Sequence, residues 1–159
     1  MSFAPLFIAV AMWQGAIVAP EPPAKNWASI GFTNTNGRTG PGADYPIKWV
    51  YNPRGLPVIV LHKASEWSKI EDMDGEVLWM HNSVLRTRLT ALVIAEQPVP
   101  LLADTKKRKK VLARLAKHVV VRIESCAQQQ CLVRVDNKKG WLPKTALWGP
   151  VQVSNTLTD

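Results

Sequence analysis

The stretches Trp79-Met-His-Asn-Ser-Val-Leu85 and Trp141-Leu-Pro-Lys-Thr-Ala-Leu147 align without a gap, 62 residues apart from Trp79 to Trp141. Each opens on a tryptophan, passes through a short turn that could close as one 3₁₀ loop, and lands on a leucine. The correspondence continues upstream. Ile70, followed by acidic residues and a turn, pairs with Val133, followed by a turn that ends at Gly140. Residues 56–60 (LPVIV) pair with residues 118–122 (HVVVR). Two copies of one small all-β unit account for this spacing. A unit of roughly 60 residues buries only about 60% of its unfolded surface, so each copy is marginal alone. Packing the two together, and stapling the second, would offset that.

Between these anchors the chain reads as short β runs cut by turns. In the first half residues 29–32, 47–51, 57–62, 67–70 and 76–80 are strand candidates, and 57–62 (PVIVLH) is the strongest because it is rich in branched side chains. Asp72-Met-Asp-Gly75 suits a hairpin turn. In the second half the candidates are 91–94, 99–102, 111–115, 119–123, 132–135 and 140–142. Residues 106–117 also fit a short basic helix with Val111, Leu112 and Leu115 on one face, but a strand at the matching place in the first half favours strand. The glycine-rich residues 34–49 (NTNGRTGPGADYPIKW) pose a separate question. A phosphate loop would need Lys-Ser or Lys-Thr after its glycines, and Pro41 removes an amide where donors are wanted. The stretch reads as a turn-rich connection between strands.

The chain has 159 residues, 47% hydrophobic and 20% charged, which suits one ordinary domain or two small ones and excludes a disordered chain. Its net charge of +8 points to an anionic partner. Lys106, Lys107, Arg108, Lys109 and Lys110 form one basic run, read first as a solvated turn and second as an attractor of anionic envelope polymer or phospholipid heads. Aromatic residues are not interleaved with it, so nucleic acid is not the expected partner. Residues 1–20 carry no charge. They are marginal against the roughly 20 apolar residues of a bilayer span, whereas Ala16 and Ala19 suit the end of a secretion signal. Export is the expectation, with an uncleaved anchor or a buried segment as alternatives.

Cys126 and Cys131 flank Ala127-Gln-Gln-Gln130 between apolar β runs. In a hairpin with a four-residue loop they would face each other at disulfide distance, and closing so short a loop contributes on the order of 2 kcal/mol. Two buried free thiols are the alternative; zinc would need a second pair of ligands. A disulfide implies an oxidising compartment such as a periplasm.

The segment Asn36-Gly-Arg-Thr-Gly-Pro-Gly42 resembles the N-x-R-x-G-P signature of bacterial SH3 (SH3b) domains, the SH3-like modules of exported bacterial proteins. Tyr45-Pro-Ile47, Gly55-Leu-Pro-Val58, Trp67-Ser-Lys-Ile70 and Asp74-Gly75 before Trp79 fall where that family places strands and hairpin. Gly140-Trp-Leu-Pro143 and Leu147-Trp-Gly149 are similar to the ending of a second unit in exported proteobacterial proteins with two tandem units, where a Cys pair also occurs. Leu78 stands where the family usually has glycine, Gln130 where the first unit has Trp67, and the signature is replaced in the second unit by residues 98–103 (PVPLLA). A groove built on those residues is therefore not expected there. The resemblance implies an all-β fold of two tandem SH3-like small barrels, residues 27–90 and 91–150. Residues 1–20 would be the signal peptide, 21–26 a stiff linker and 151–159 a tail.

The resemblance also frames the function. Exported SH3b modules are often assigned to cell-wall peptide binding, and tyrosine and tryptophan suit such grooves because they offer rigid apolar area with a polar tip. Trp49, Tyr51, Trp67 and Arg38 are the ligand-binding candidates. For each, the competing reading is structural: packing for the aromatics, and for Arg38 bonds to backbone carbonyls or an acidic group. Trp79 and Trp141 are expected in the core. His62, His81 and His118 are scattered without a partner at a spacing that fixes a base, so no enzyme, metal or cofactor is expected. The chain reads as an exported non-catalytic module recognising peptidoglycan. Its alternative is a periplasmic interaction or scaffold module docking an acidic protein.

Overall fold

The computed structural model describes residues 25–103 and 110–151. The expected signal of residues 1–20 and four of the five basic residues, Lys106, Lys107, Arg108 and Lys109, lie outside the described residues. Fourteen strands alternate with turns: β1 Trp27–Ile30, β2 Thr35–Arg38, β3 Ile47–Tyr51, β4 Pro57–Lys63, β5 Trp67–Glu71, β6 Val77–His81, β7 Leu85–Arg86, then β8 Thr90–Val93, β9 Val99–Leu102, β10 Val111–Leu115, β11 Val120–Ala127, β12 Gln130–Val135, β13 Lys138–Pro143 and β14 Leu147–Trp148. They form two antiparallel seven-stranded sheets. The orders are β3-β2-β6-β5-β4-β1-β7 and β10-β9-β13-β12-β11-β8-β14, one topology used twice. Both motifs that open the repeat close as 3₁₀ turns, Asn82–Val84 and Lys144–Ala146, each ending at its leucine.

The internal repeat is real, but its offset changes along the chain. The Ile30 amide donates to the Leu56 carbonyl and the Val93 amide to the Val119 carbonyl, both at 2.9 Å. Leu56 therefore corresponds to Val119, not to His118, and the left-handed turn residue Gly55 (φ 87) corresponds to His118 (φ 67). The shift arises at the β5–β6 hairpin, where five residues separate the pair Glu71↔Val77 and four separate the equivalent pair Arg134↔Lys139. In the first hairpin Asp72 Oδ1 accepts from the amides of Asp74 and Glu76, at 3.0 and 2.9 Å. Gly75 supplies the positive φ (80°) that the turn demands.

Three other expectations are corrected. Residues 34–49 are not merely a connection: Thr35–Arg38 is a strand, paired with both β3 and β6. Its Gly37 looks unsuited to a strand, but a Cβ there would come within 2.8 Å of Leu78 Cδ1 and 3.0 Å of Tyr51 Cε2, so only glycine fits. Trp79 and Trp141 are half-buried on the outer side. Strand alternation turns Leu78 and Met80, and likewise Leu142, inward instead. The Cys126–Cys131 disulfide forms across paired positions with Cα atoms 4.0 Å apart. Its turn is two residues, because Ala127 and Gln130 still pair, and Gln128 takes the left-handed conformation. Residues 111–115 are strand, and the helical alternative is overturned.

The two cores solve one packing problem in opposite ways. In the first unit a leucine on β6 (Leu78) lies over a glycine on β2 (Gly37). In the second a leucine on β9 (Leu101) lies over a glycine on β13 (Gly140), whose Cβ would come within 2.8 Å of Leu101 Cγ. The bridging pairs Arg38↔Trp79 and Trp141↔Leu102 fix these positions as equivalent. Leu78, at the place where the resemblance implied glycine, thus lies over a glycine on the facing strand. The units pack against each other through Trp27 and Trp148, edge to face at 5.0 Å, with Gly55 against Val120. G37L should overpack and L78G should leave a cavity, each costing about 2–4 kcal/mol. The double variant, which copies the second unit's arrangement, should lose at least about 1 kcal/mol less than their sum in denaturant titrations.

Candidate functional site

The first unit carries an aromatic-walled cleft of about 270 Å³, bounded by Phe32 and residues 33–36 on one side and by Trp67, His81 and Val84 on the other, with Arg38 in its lining. Each wall is held from behind. Thr35 Oγ1 donates to the Phe32 carbonyl at 3.0 Å, and Asn34 turns the loop with φ 54. Phe32 is half exposed (50%) and rests on the Arg86 guanidinium, 4.6 Å from the ring centroid. On the other wall Trp67 and His81 are cross-strand partners whose rings meet edge to face at 5.3 Å. His81 Nδ1 accepts from the Ser83 amide at 3.3 Å and lies 2.7 Å from Ser83 Oγ, which orients its ring at the start of the 3₁₀ turn.

Asn82 locks this wall in place. Its Nδ2 donates to the carbonyls of Ala64 and Ser65 at 3.3 and 3.0 Å, and its Oδ1 accepts from Ser68 Oγ at 2.6 Å. Its amide donates to the Glu66 carbonyl at 2.7 Å. The β4–β5 turn that delivers Trp67 is thereby tied to the turn after His81.

The four candidates from sequence do not form one site. Arg38 and Trp67 share the cleft just described. Arg38 Nη1 also donates to the Tyr45 carbonyl at 2.7 Å, a structural bond that closes residues 39–45. The Tyr45 ring lies against Gly40, where a Cβ would come within 2.2 Å of it. Tyr51 lines a different cleft of about 380 Å³, between the units, with Leu56, Met73, Leu92 and Trp148. Trp49 is half exposed (51%) on edge strand β3 opposite Gly37, and lines neither. Phe32 and His81 are the contributors the sequence did not single out. Phe32 follows a strand end by two residues, and His81 was weighed as a base rather than as a ring. Of the other histidines, His62 stacks edge to face with Trp79 at 6.4 Å and His118 sits in its turn. Among the described residues, no group of three or more His, Cys, Asp and Glu side chains could hold a metal ion, and no helix is long and apolar enough to cross a membrane.

The second unit repeats the frame without the aromatics. Gln130 pairs with Pro143 where Trp67 pairs with His81, and Ala95 follows β8 as Phe32 follows β1. Among the described residues the frame is thus shared, whereas the aromatic side chains at these places belong to the first unit.

Tyr51 is a buttress. Its hydroxyl donates to Asp72 Oδ2 at 2.6 Å. Burial first, and then this bond to a carboxylate, push its ionisation well above the usual phenol range. A phenol raised in the folded state stabilises the fold fully below its unfolded value of about 10, and that contribution is lost as pH rises through the higher folded value. Y51F should therefore cost about 1–2 kcal/mol at neutral pH. The difference from the unsubstituted chain should narrow in melts above about pH 10.

The family described as "Bacterial SH3 domain" matches residues 33–87 and again residues 95–149, together more than half of the chain. Among curated proteins none matches. Two solved structures from Trichomonas vaginalis are similar. NlpC2 has a TM-score of 0.34 at 9% identity over 80% of this chain and 49% of that one, and NlpC1 has 0.34 at 10% over 81% and 47%. The chain spans about half the length of these structures. Two family matches on two copies of one strand order place it: the chain belongs to the bacterial SH3 domain family, with two such domains in tandem.

Proposed function

We propose that the chain is an exported, non-catalytic binding module that recognises a cell-wall peptide through the aromatic cleft of its first SH3 domain. The observation that carries this reading is the pairing of Phe32 with Trp67 and His81 around Arg38 in the first domain, against Ala95, Gln130 and Pro143 at the equivalent places in the second. Aromatics kept in one copy and absent from the other are better explained by a ligand. The cleft is near the small end of ligand pockets, which suits a few residues of extended peptide and not a folded partner. Flat rings bury much apolar area at little rotamer cost, while Arg38 and His81 offer polar groups to peptide carbonyls or a terminal carboxylate.

Family membership supports the assignment to the cell wall, and the Cys126–Cys131 disulfide supports an oxidising, extracytoplasmic location. The absence of a catalytic role is part of the proposal. So is the localisation, which also draws on the apolar residues 1–20.

The test is co-sedimentation of the chain with purified peptidoglycan sacculi at low and high salt. Saturable binding that persists at high salt and weakens at least about tenfold in W67A, and similarly in F32A, is the expected result. Binding that disappears with salt and ignores both substitutions would show charge attraction alone. It would point instead to the scaffold reading, with an acidic protein as partner.

A further inference from the structure

A larger cleft, of about 970 Å³, opens between the two SH3 domains; it adjoins the aromatic cleft at Phe32, which lines both, and five arginines line it. Arg54 and Arg86 come from the first domain, Arg88 from the short connection between domains, and Arg122 and Arg134 from the second. Asp136 is the one carboxylate in this lining among the described residues. Five guanidinium groups around one concavity repel one another, an arrangement that folding alone does not call for.

Two of the five are committed to structure. Arg86 donates to the carbonyls of Ser83 and Leu85, at 2.7 and 2.9 Å, and carries Phe32 on its face. Arg134 Nε donates to Glu124 Oε1 at 3.0 Å. Arg54, Arg88 and Arg122 form no ion pair within 4 Å among the described residues, although the charge of Arg122 acts on Glu124. A second, independent observation lies in the same cleft. Thr90, in its lining, is 5% exposed, yet its Oγ1 is the one buried side-chain oxygen or nitrogen without a hydrogen-bond partner among the described residues. A buried hydroxyl left unpaired costs stability, and a bound acceptor or donor would relieve it.

We infer that this inter-domain cleft is a binding site for a compact ligand carrying two or more oxyanion groups, phosphate or carboxylate. The guanidinium groups of Arg54, Arg88 and Arg122 would clamp it and Thr90 would supply a hydroxyl. Guanidinium forks match both anions bidentately. The volume is at the upper end for small-molecule pockets and admits a ligand of several such groups. Because the clamp draws on both domains and their connection, ligand binding stabilises their mutual placement as well as each fold. Lys110, the described residue of the basic run that the sequence offers as the anion attractor, does not line it.

Isothermal titration of the full chain with tripolyphosphate, and in parallel with citrate, tests this and tells phosphate from carboxylate. The expected result is saturable binding of one ligand per chain and a higher melting temperature. The R88Q,R122Q variant should weaken binding by more than about tenfold, R54Q should weaken it from the other domain, and T90V should weaken it without loss of fold. A variant with glutamine at positions 106–110 should bind within about twofold of the unsubstituted chain, since the inferred clamp is Arg54, Arg88 and Arg122. Binding abolished by that variant and untouched by R88Q,R122Q would overturn the inference. So would the absence of saturable binding to either anion while circular dichroism shows the chain folded. W67A should bind tripolyphosphate normally, which keeps this site distinct from the wall-peptide cleft.

Discussion

Each SH3 domain depends on filling one position with one leucine. The β2–β3 hairpin of the first sheet and the β9–β10 hairpin of the second must each fold over the strand that precedes the 3₁₀ turn, meeting it at a single bridging pair. There one side is glycine and the leucine opposite fills the space that a Cβ would take. Leu78 over Gly37 and Leu101 over Gly140 are the two ways to satisfy this, and the chain uses one in each copy. With that contact made, Ile70, Met80 and Val58 in one domain, and Val133, Leu142 and Val121 in the other, occupy fully buried positions around it. Close packing leaves no slack for a second leucine or for none.

The frame then frees the outer faces to differ. Asn82 ties the turn carrying Trp67 to the turn following His81, and Thr35 fixes the loop carrying Phe32, so a rigid aromatic cleft costs the first domain little further ordering. In the second domain the same turns are joined by the Lys144 amide donating to the Gln129 carbonyl at 2.9 Å, but Gln130 and Pro143 face each other there. The disulfide beside them joins the two strands of that hairpin. Between the domains, Trp27 against Trp148 sets the contact, and the arginine-lined cleft opens where that contact ends.

Much of this fold could be read from the chain because period-2 alternation and turn residues act locally. The strands at 47–51, 99–102 and 111–115 and the two tryptophan-to-leucine turns follow from such signals. What could not be read depends on contacts across the sheet. Gly37 argues against a strand until Leu78 is placed over it. Trp79 looks like core until its neighbours Leu78 and Met80 are seen to take the inner face. The register of residues 56–60 against the second copy is off by one because the extra residue of the 72–76 hairpin is invisible to a gapless alignment. The site was readable in part for the same reason. Trp67 and Arg38 belong to recognisable motifs, whereas Phe32 and His81 acquire meaning only once folding brings them to the same edge. The inter-domain arginines, spread from position 54 to 134, form no run that a sequence shows.

The central claim is that one fold, used twice, serves two ends: recognition in the first domain and support in the second. Nuclear magnetic resonance of the ¹⁵N-labelled chain titrated with a soluble wall-peptide fragment tests it most directly. The account predicts shifts in the Trp67 indole N–H and in the amides of residues 32–36 and 81–84, with the Trp141 indole and the amides around Gln130 unchanged. Shifts centred on the second domain, or spread evenly over both, would contradict it.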